Sequence, residues 1–242
     1  MSQNQTSATC ARGRDGCKGC DVRLLSVCAA LDCEELGELE ALAQPSHYPA
    51  KTTLFMQGEP ADHLYTITQG AVRLYKLLHD GRRQIIGFAL PGDFLGLGLG
   101  SAKMHNLSAD AISEVSLCRF PRADFEALLA RKPHLLAQLH ELTTRQLTVA
   151  QDRMVLLGRQ TAEERVVSFL LQLRDRWSHI NGTTVHVELP MGRQDIADFL
   201  GLTIETVSRT LTNLARNGMI VIVPEGVRLL KLKELEALAA AA

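Results

Sequence analysis

Residues 192–217 read GRQDIADFLGLTIETVSRTLTNLARN, and this stretch decides the fold of the C-terminal part of the chain. The pattern predicts a helix over 193–200, a sharp turn at Gly201, and a second helix over 204–217. Apolar residues are spaced to form a core between the two helices: Ile196, Leu200, Leu202, Val207, Leu211 and Leu214. The small residue Ala197 suits the point at which the two helices must approach closely. We therefore predict a helix–turn–helix, the arrangement that places a second helix in the major groove of DNA.

The second predicted helix carries a polar face behind an N-capping threonine, Thr203. Its polar side chains recur at i, i+3, i+4 and i+7: Glu205, Ser208, Arg209 and Thr212. Arginine can donate two hydrogen bonds to a guanine edge, glutamate can accept one from cytosine, and serine can contact a base or a phosphate. These five residues are candidate DNA contacts; the alternative is an ordinary solvated helix face.

The segments around this motif predict a winged helix. Residues 218–232, GMIVIVPEGVRLLKL, read as two short strands joined at 224–226, and such a wing typically rests on phosphate. A helix over 163–177 and a short strand over 184–189 precede the motif, and an alanine-rich helix that frays ends the chain. Residues 159–219 carry seven arginines and seven acidic residues. The domain is therefore not basic overall, and its affinity must come from placed contacts and from the avidity of a dimer.

Residues 48–120 have a different period. The short apolar runs LYTI, AVRLYKLL, QIIGFAL and EVSLCRF are separated by turn residues at intervals of about 8–12 positions, which is typical of an antiparallel sandwich, roll or barrel. The pair Asp80-Gly81 predicts a type I′ hairpin turn. A short helix over 32–43, with Asp32 as its N-cap, precedes these strands.

A long helix is predicted between the strands and the winged helix. One apolar stripe contains Leu135, Leu139, Leu142, Val149 and Leu156, and a second contains Leu136, Leu147, Met154 and Leu157. A helix with two apolar stripes needs two packing partners. The roll can supply one, and the same helix of another subunit can supply the other. A fully internal helix explains the pattern equally well.

Composition limits the function classes. The chain has 242 residues, 46% of them hydrophobic and 22% charged, which is typical of a globular protein with proper cores. It has no apolar run of about 18 residues, and its polar start lacks the apolar region of a secretory signal, so we expect a cytoplasmic protein without membrane spans. No catalytic triad, phosphate loop or paired carboxylates stand out, so we expect no enzyme activity.

Six cysteines are unusual in such a chain, and five of them lie within 24 positions: Cys10, Cys17, Cys20, Cys28 and Cys33. In a reducing compartment clustered thiols indicate metal ligands or redox groups rather than disulfides. The spacing Cys17-x2-Cys20, with Cys28 seven residues further on, is typical of metal chelation. Zinc or a cubane iron–sulfur cluster needs a fourth ligand. The candidates are Cys10, Cys33 and Cys118.

Strand alternation bears on the fourth ligand. If Val115 and Leu117 point into the roll, Cys118 lies on the opposite face, which favours it as a ligand over a buried core thiol. At Cys33, the neighbouring residues Glu34 and Glu35 would disfavour a thiolate. The residues alone leave zinc, a cluster and adventitious thiols open.

The order of parts resembles the CRP/FNR family of bacterial transcription regulators over nearly the whole chain. The resemblance rests on the segments QGAVRLYKL, LPGDFLG, AEERVVSFLLQL and LGLTIETVSRTLTNLARNGMI. The cysteine pattern looks like the FNR branch, particularly the FnrL/FnrN-type proteins of alphaproteobacteria. The resemblance implies that an oxygen-labile 4Fe–4S cluster is bound by Cys17, Cys20, Cys28 and Cys118.

The resemblance also implies partners. A homodimer would bind double-stranded DNA at palindromes of TTGAT-type half-sites, read by Glu205, Ser208 and Arg209, and would contact RNA polymerase. DNA binding would require the intact cluster and would be lost when oxygen, the signal, destroys it.

Other sensors of this family are disfavoured by the residues. Cyclic-nucleotide receptors have a Gly-Glu pair and then an arginine in the roll, whereas this chain has Gly92-Asp93 and no arginine between Arg83 and Arg119. Haem is disfavoured because the strand AVRLYKLL offers no axial ligand, and His79 and His105 have no supporting spacing.

The predicted fold class is α+β, with four parts. Residues 1–34 form a cysteine-rich segment, 35–128 an N-terminal antiparallel β-roll of the cyclic-nucleotide-binding type, 129–158 a long dimerisation helix, and 159–242 a C-terminal winged helix–turn–helix. The alternative functions are a DNA-binding regulator with a structural zinc or a thiol switch, and one with a small-molecule effector in the roll.

Overall fold

The computed structural model describes residues 16–78, 80–97, 103–182 and 184–240. The helices are α1 (Cys33–Leu42), α2 (Arg122–Arg131), α3 (Pro133–Arg159), α4 (Ala162–Asn181), α5 (Arg193–Leu200), α6 (Ile204–Arg216) and α7 (Leu232–Ala240). The strands are β1 (Gln44–Tyr48), β2 (Thr53–Phe55), β3 (His63–Gln69), β4 (Val72–Leu77), β5 (Arg83–Ala89), β6 (Phe94–Leu95), β7 (Ser108–Ala111), β8 (Val115–Pro121), β9 (His186–Glu188), β10 (Ile220–Val223) and β11 (Gly226–Leu229). The predicted α+β class is confirmed. Among the described residues, no helix combines the length and apolar character needed to span a membrane.

The roll consists of two antiparallel four-stranded sheets with the orders β1-β8-β3-β6 and β2-β7-β4-β5. Their facing sides enclose one apolar core, to which Phe55, Ile67, Val72, Val115 and Leu117 contribute. Side chains that alternate with these on β3 and β8 point to the other side of the first sheet. We call that side the outer face.

The outer face is covered by the N-terminal segment and α1. Three short 3-10 turns, at Cys17–Gly19, Arg23–Leu25 and Val27–Ala30, precede α1. Asp32 caps α1 and forms a capping box with Glu35, so the predicted N-cap is confirmed. A second apolar core lies between this segment, the outer face and the start of α3, and it includes Val27, Leu36, Leu64, Phe120 and Leu135.

The β4–β5 hairpin corrects one prediction. Leu78 N–H donates to Arg82 O at 2.9 Å, and Gly81 N–H donates to Leu78 O at 3.0 Å. The loop therefore has three residues with Gly81 (φ +80°) last, whereas a type I′ turn has two. The predicted type I′ turn was wrong because Asp80 is used instead to accept from the backbone N–H of Arg82 at 3.0 Å.

The long helix begins at Pro133, four residues later than the predicted range of 129–158. Lys132 has a non-helical backbone (φ −125°, ψ 81°), and it separates α3 from α2. Proline at the first helical position suits the start of a helix because its missing N–H would have no partner there. Leu135, Leu139 and Leu156 are buried, as expected for the first stripe. Val149 was predicted for the same stripe but is exposed, since residues 143–152 of α3 contact little else in the chain.

The C-terminal part is a winged helix. Helices α5 and α6 flank Gly201, whose left-handed backbone (φ +64°, ψ 38°) makes the sharp turn. Strands β10, β11 and β9 form the wing sheet in that order. The winged helix and the roll share a third apolar core, in which Tyr75 and Phe88 of the roll join residues such as Phe169 and Ile196.

Candidate cofactor site and nucleic-acid interface

Cys118 lies on the outer face of the roll, as strand alternation predicted. On β8, Val115 and Leu117 belong to the core between the sheets, whereas Cys118 and Phe120 contact the core beneath the N-terminal segment. Its thiol therefore faces the segment that carries the other cysteines.

The N-terminal segment places three cysteines against this face. Cys17 begins the first 3-10 turn, Cys20 follows it as the C-cap, and Cys28 lies in the third turn. The backbone N–H of Cys17 donates to Glu40 Oε1 of α1 at 3.2 Å. The segment also contacts the roll closely at Gly92, where an added Cβ would lie 2.8 Å from Leu25 Cβ. Helix α1 and a close backbone approach together hold the segment in place.

The four thiols are free, half-buried and close enough to influence one another electrostatically. We call Cys17, Cys20, Cys28 and Cys118 the four-cysteine group. Burial, together with the neighbouring thiolates, raises the pKa of Cys17 to about 12 and that of Cys118 to about 11. Burial also raises the pKa of Cys28. Thiolates in this group therefore need a cationic partner, which is what a metal centre supplies.

The two other cysteines differ from this group. Cys33, the first residue of α1, is disulfide-bonded, so it is removed from the candidate ligands. The clustered cysteines were predicted to be metal ligands or redox groups rather than disulfides, and Cys33 departs from that prediction. Cys10 lies outside the described residues.

We tested whether the four-cysteine group fits a metal centre. In the described part of the chain, no set of three or more His, Cys, Asp or Glu side chains is arranged to hold a metal ion. The thiols are thus less closely gathered than the ligands of a single zinc ion, whose sulfurs lie about 2.3 Å from the metal. A cubane of four irons and four sulfides is larger, and its ligands are correspondingly further apart. The number and the chemistry of these thiols match the four cysteine ligands that such a cluster needs.

The predicted DNA-reading face of α6 is accessible. Glu205, Arg209 and Thr203 are exposed, and Ser208 and Thr212 are partly so. The opposite side of the helix, including Val207, Leu211 and Leu214, is buried as predicted. The helix therefore presents its polar residues outward while its apolar residues fix its orientation.

Local contacts define what three of these residues can do. Thr203 is the N-cap, accepting from Thr206 N–H at 3.2 Å, so its hydroxyl has a structural role. The backbone N–H of Glu205 and then the Thr203 hydroxyl hold the pKa of Glu205 below its usual value, so that carboxylate is ready to accept a hydrogen bond. The hydroxyl of Thr212 donates to Ser208 O at 2.8 Å, which commits its only proton to the helix.

Three arginines join the roll to the DNA-binding part, and sequence reasoning missed all of them. Arg73 of β4 bridges Asp110 of β7 (3.1 Å) and Asp195 of α5 (2.7 Å). Arg153 of α3 donates to Ile85 O and Phe199 O, both at 2.8 Å. The third is Arg176 of α4. The sequence held one sign of these contacts, which is Arg73 within the apolar run AVRLYKLL. A charged side chain in a strand that faces only an apolar core would be unfavourable, so its presence indicates a polar partner.

Asp93 and His105 of the roll both have partners within the protein. Asp93 accepts from Leu90 N–H at 2.8 Å and pairs with Arg176. The ring of His105 is buried and stacks on Phe55 with the centroids 3.9 Å apart. The carboxylate of Asp93 is thus paired with Arg176, and the ring of His105 is packed against Phe55.

Two protein families match the chain. Residues 45–132 match the cyclic nucleotide-binding domain, and residues 164–240 match the Crp-like helix-turn-helix domain. The transcriptional activatory protein AadR of Rhodopseudomonas palustris is 53% identical over 222 residues, which cover 92% of each chain. The chain belongs to the CRP/FNR family of transcription regulators. Proteins of this family are regulators and not enzymes.

Other CRP/FNR relatives are similar to this chain over most of their length. The nitrogen fixation regulation protein FixK of Bradyrhizobium diazoefficiens is 50% identical, covering 93% of this chain and 94% of its own. The structure of FixK2 from Bradyrhizobium japonicum is 40% identical with a TM-score of 0.75, covering 83% of this chain and 98% of that one.

Proposed function

We propose that this protein is an oxygen-responsive transcription regulator that binds palindromic DNA as a homodimer when a 4Fe–4S cluster is intact. The single observation that carries the oxygen response is the four-cysteine group: four free thiols from two distant parts of the sequence on one face of the roll. When bound, the cluster would supply the oxygen sensitivity, because oxygen would destroy it. The cysteine ligands would be Cys17, Cys20, Cys28 and Cys118.

Protein contacts suggest how the four-cysteine group would act on the long helix. The 3-10 turn that contains Cys28 packs against the start of α3, and Val27 and Leu31 share one apolar core with Leu135 and Leu139. Loss of the cluster would remove the link between the N-terminal segment and Cys118. The packing of that segment on α3 would then loosen, and the orientation of α3 would change. A change of about 2.8 kcal/mol would weaken dimerisation about 100-fold.

Dimerisation is supported by the exposed side of α3. Its side chains Leu136, Leu147 and Met154 are 53%, 58% and 66% exposed. Together with the residues between them they form a stripe spaced alternately by three and four positions, which we call the α3 seam: Leu136, His140, Thr143, Leu147, Ala150, Met154 and Leu157. This is the spacing of a two-stranded coiled coil, so the occupant that fits is the same helix of a second subunit.

DNA recognition would follow from pairing. Two subunits would set two recognition helices one DNA turn apart, about 34 Å, matching a palindrome of TTGAT-type half-sites. Glu205, Ser208 and Arg209 would read the bases. Bound at a promoter, the dimer would contact RNA polymerase, in keeping with the description of AadR as a transcriptional activatory protein.

Arg209→Ala should remove the discrimination at one guanine of each half-site, at a cost of about 1–3 kcal/mol. The measurement is fluorescence anisotropy on a TTGAT palindrome and on duplexes in which that guanine is replaced. Arg216→Ala is the matched control, because Arg216 lies in the last turn of α6 and the bases are read from the first turns. Unchanged binding of Arg209→Ala to specific and random duplexes would show that α6 does not read DNA through this residue.

Cys118→Ser should abolish cluster binding. Protein purified without oxygen should contain iron and acid-labile sulfide, about four of each per chain, and should absorb visible light. The variant should lose both elements and the oxygen-sensitive DNA binding, whereas Cys10→Ser should keep them. Zinc in place of iron would support the metal-switch alternative. A protein that is free of iron and binds DNA equally in air and argon would contradict the proposal.

The small-molecule alternative makes a different prediction for the same assay. An effector in the roll would act without the cysteines, so Cys28→Ser would leave regulated DNA binding intact. The contact of Asp93 with Arg176 weighs against a cyclic nucleotide, because a ribose at that carboxylate would have to compete with a guanidinium.

A further inference from the structure

Thr66, in the middle of β3, has a buried hydroxyl that packing does not explain. The residue is 3% exposed, and Oγ1 has no hydrogen-bond partner among the described residues. A buried hydroxyl without a hydrogen-bond partner is unfavourable, because nothing replaces the hydrogen bonds that it made to water. Valine has nearly the same shape and would fill the site without this cost. The hydroxyl therefore points to a partner that the described residues do not supply.

The position of Thr66 identifies where that partner would lie. The strands β1, β8, β3 and β6 place Pro45, Cys118, Thr66 and Phe94 in one cross-strand row. Paired residues of antiparallel strands project to the same face, with Cβ atoms about 4.5–5.5 Å apart. Thr66 is thus the direct neighbour of Cys118, and its hydroxyl points to the outer face that the four-cysteine group shares.

The other neighbours leave no alternative partner in this row. Phe94, Leu64 and Phe120 surround the position with apolar groups of one core. Of the four buried side-chain atoms without a partner in the described part of the chain, Thr66 Oγ1 is the one that lies beside a member of the four-cysteine group within a strand ladder.

We propose that Thr66 is a positioning residue of the cluster site, whose hydroxyl donates a hydrogen bond to the Cys118 thiolate or to an adjacent sulfide. This inference rests on the proposed function. Hydrogen bonds to cluster sulfurs stabilise the more negative, reduced state, so they raise the reduction potential. They also hold a ligand in orientation, and their loss typically costs about 10–100-fold in retention of the metal.

The test uses Thr66→Val in the full-length chain, because the two roles of the hydroxyl predict opposite signs. In the metal-free protein, Thr66→Val should be as stable in urea as the wild type or more so, since it removes an unsatisfied polar group. In the cluster-loaded protein, Thr66→Val should lower the reduction potential and lose visible absorption in air about 10-fold faster. Thr66→Ser should restore both values towards the wild type.

Thr68→Val is the matched control. It makes the same chemical change two residues further along β3, where the register with β8 shifts and no pairing with Cys118 exists. It should leave the potential and the lifetime in air unchanged.

The outcomes separate the two proposals. If wild type and Thr66→Val hold equal iron with the same potential and lifetime, the role of Thr66 is wrong and the proposed function stands. If Thr66→Val destabilises the metal-free protein and Thr66→Ser does not rescue the cluster, the hydroxyl is structural. If the wild type holds no iron when prepared without oxygen, both proposals fail.

Discussion

Arg73→Met should lower the free energy of unfolding by about 3–5 kcal/mol, because it leaves two buried carboxylates without their cation. Asp110 and Asp195 are each 9% exposed. Asp110 keeps other donors, since the hydroxyls of Thr53 and Tyr75 lie 3.0 and 3.2 Å from its Oδ1. Asp195 loses the 2.7 Å contact that links α5 to the roll. We therefore expect the larger part of the loss at the interface between the roll and the DNA-binding part.

Urea denaturation followed by circular dichroism measures this loss. Arg82→Met is the matched control, because Arg82 pairs with Asp80 on the exposed tip of the same hairpin, and its midpoint should barely move. Combining Arg73→Met with Asp195→Asn should recover part of the stability, since it removes one of the stranded charges. A loss for Arg73→Met no larger than that for Arg82→Met would contradict the assigned role of this ion pair.

Arg73 also illustrates what the sequence could not predict. Its partners are 37 and 122 residues away along the chain, and nothing in the local pattern identifies either of them. By contrast, the caps Asp32 and Thr203 were predicted correctly because each acts on backbone groups within three residues. Gly201 was predictable for the same reason, since the left-handed turn that it makes is a local property of the chain.

The candidate cofactor site could be predicted from the sequence in part: more than the contacts of Arg73, but less than the helix caps. The face of Cys118 followed from strand alternation alone, because a period of two fixes the side on which every residue of a strand lies. The convergence of Cys118 with Cys17, Cys20 and Cys28 needed the family resemblance, since they are about ninety residues or more apart in sequence. The role of the Thr66 hydroxyl could not be predicted from the sequence, because it depends on the three-dimensional finding that no described residue forms a hydrogen bond with this group.

The two stripes of α3 show how a pattern can be right in kind and wrong in detail. The first stripe is buried at its ends, where Leu135 and Leu139 contact the N-terminal segment and Leu156 lies in the core shared with the winged helix. Val149 matches the stripe by period but lies where α3 leaves both neighbours. Periodicity reports which side of a helix a residue is on, but it does not report how far along the helix its neighbours extend.

This exposed middle part of α3 makes the long helix the element on which both halves of the proposed function depend. Its first turns pack against the cysteine-bearing segment, and near its last turns Arg153 contacts Phe199 of α5. An isolated stretch of helix that is exposed on all sides gains little stability in water. A partner helix along the α3 seam would bury this stretch. Loss of that partner should therefore weaken the binding of the protein to palindromic DNA.

Leu147→Glu and Met154→Glu should each convert the protein to a monomer. Either substitution would place two like charges opposite each other within the seam, where a coiled coil buries apolar side chains. We expect sedimentation to show the monomer at concentrations at which the wild type is a dimer. Binding to a palindrome should weaken about 100-fold, or about 2.8 kcal/mol, while weak binding to a single half-site should be unchanged.

Thr148→Glu separates this effect from the mere addition of charge to α3. Thr148 is exposed and lies about 100° around the helix from Leu147, away from the seam, so the variant should still dimerise and bind the palindrome like the wild type. Thermal unfolding of the two seam variants at low concentration should match that of the dissociated wild type, because Leu147 and Met154 are exposed in the single chain. Seam variants that remain dimeric would place the subunit interface elsewhere, and the link from the four-cysteine group through α3 to DNA would then lose its basis.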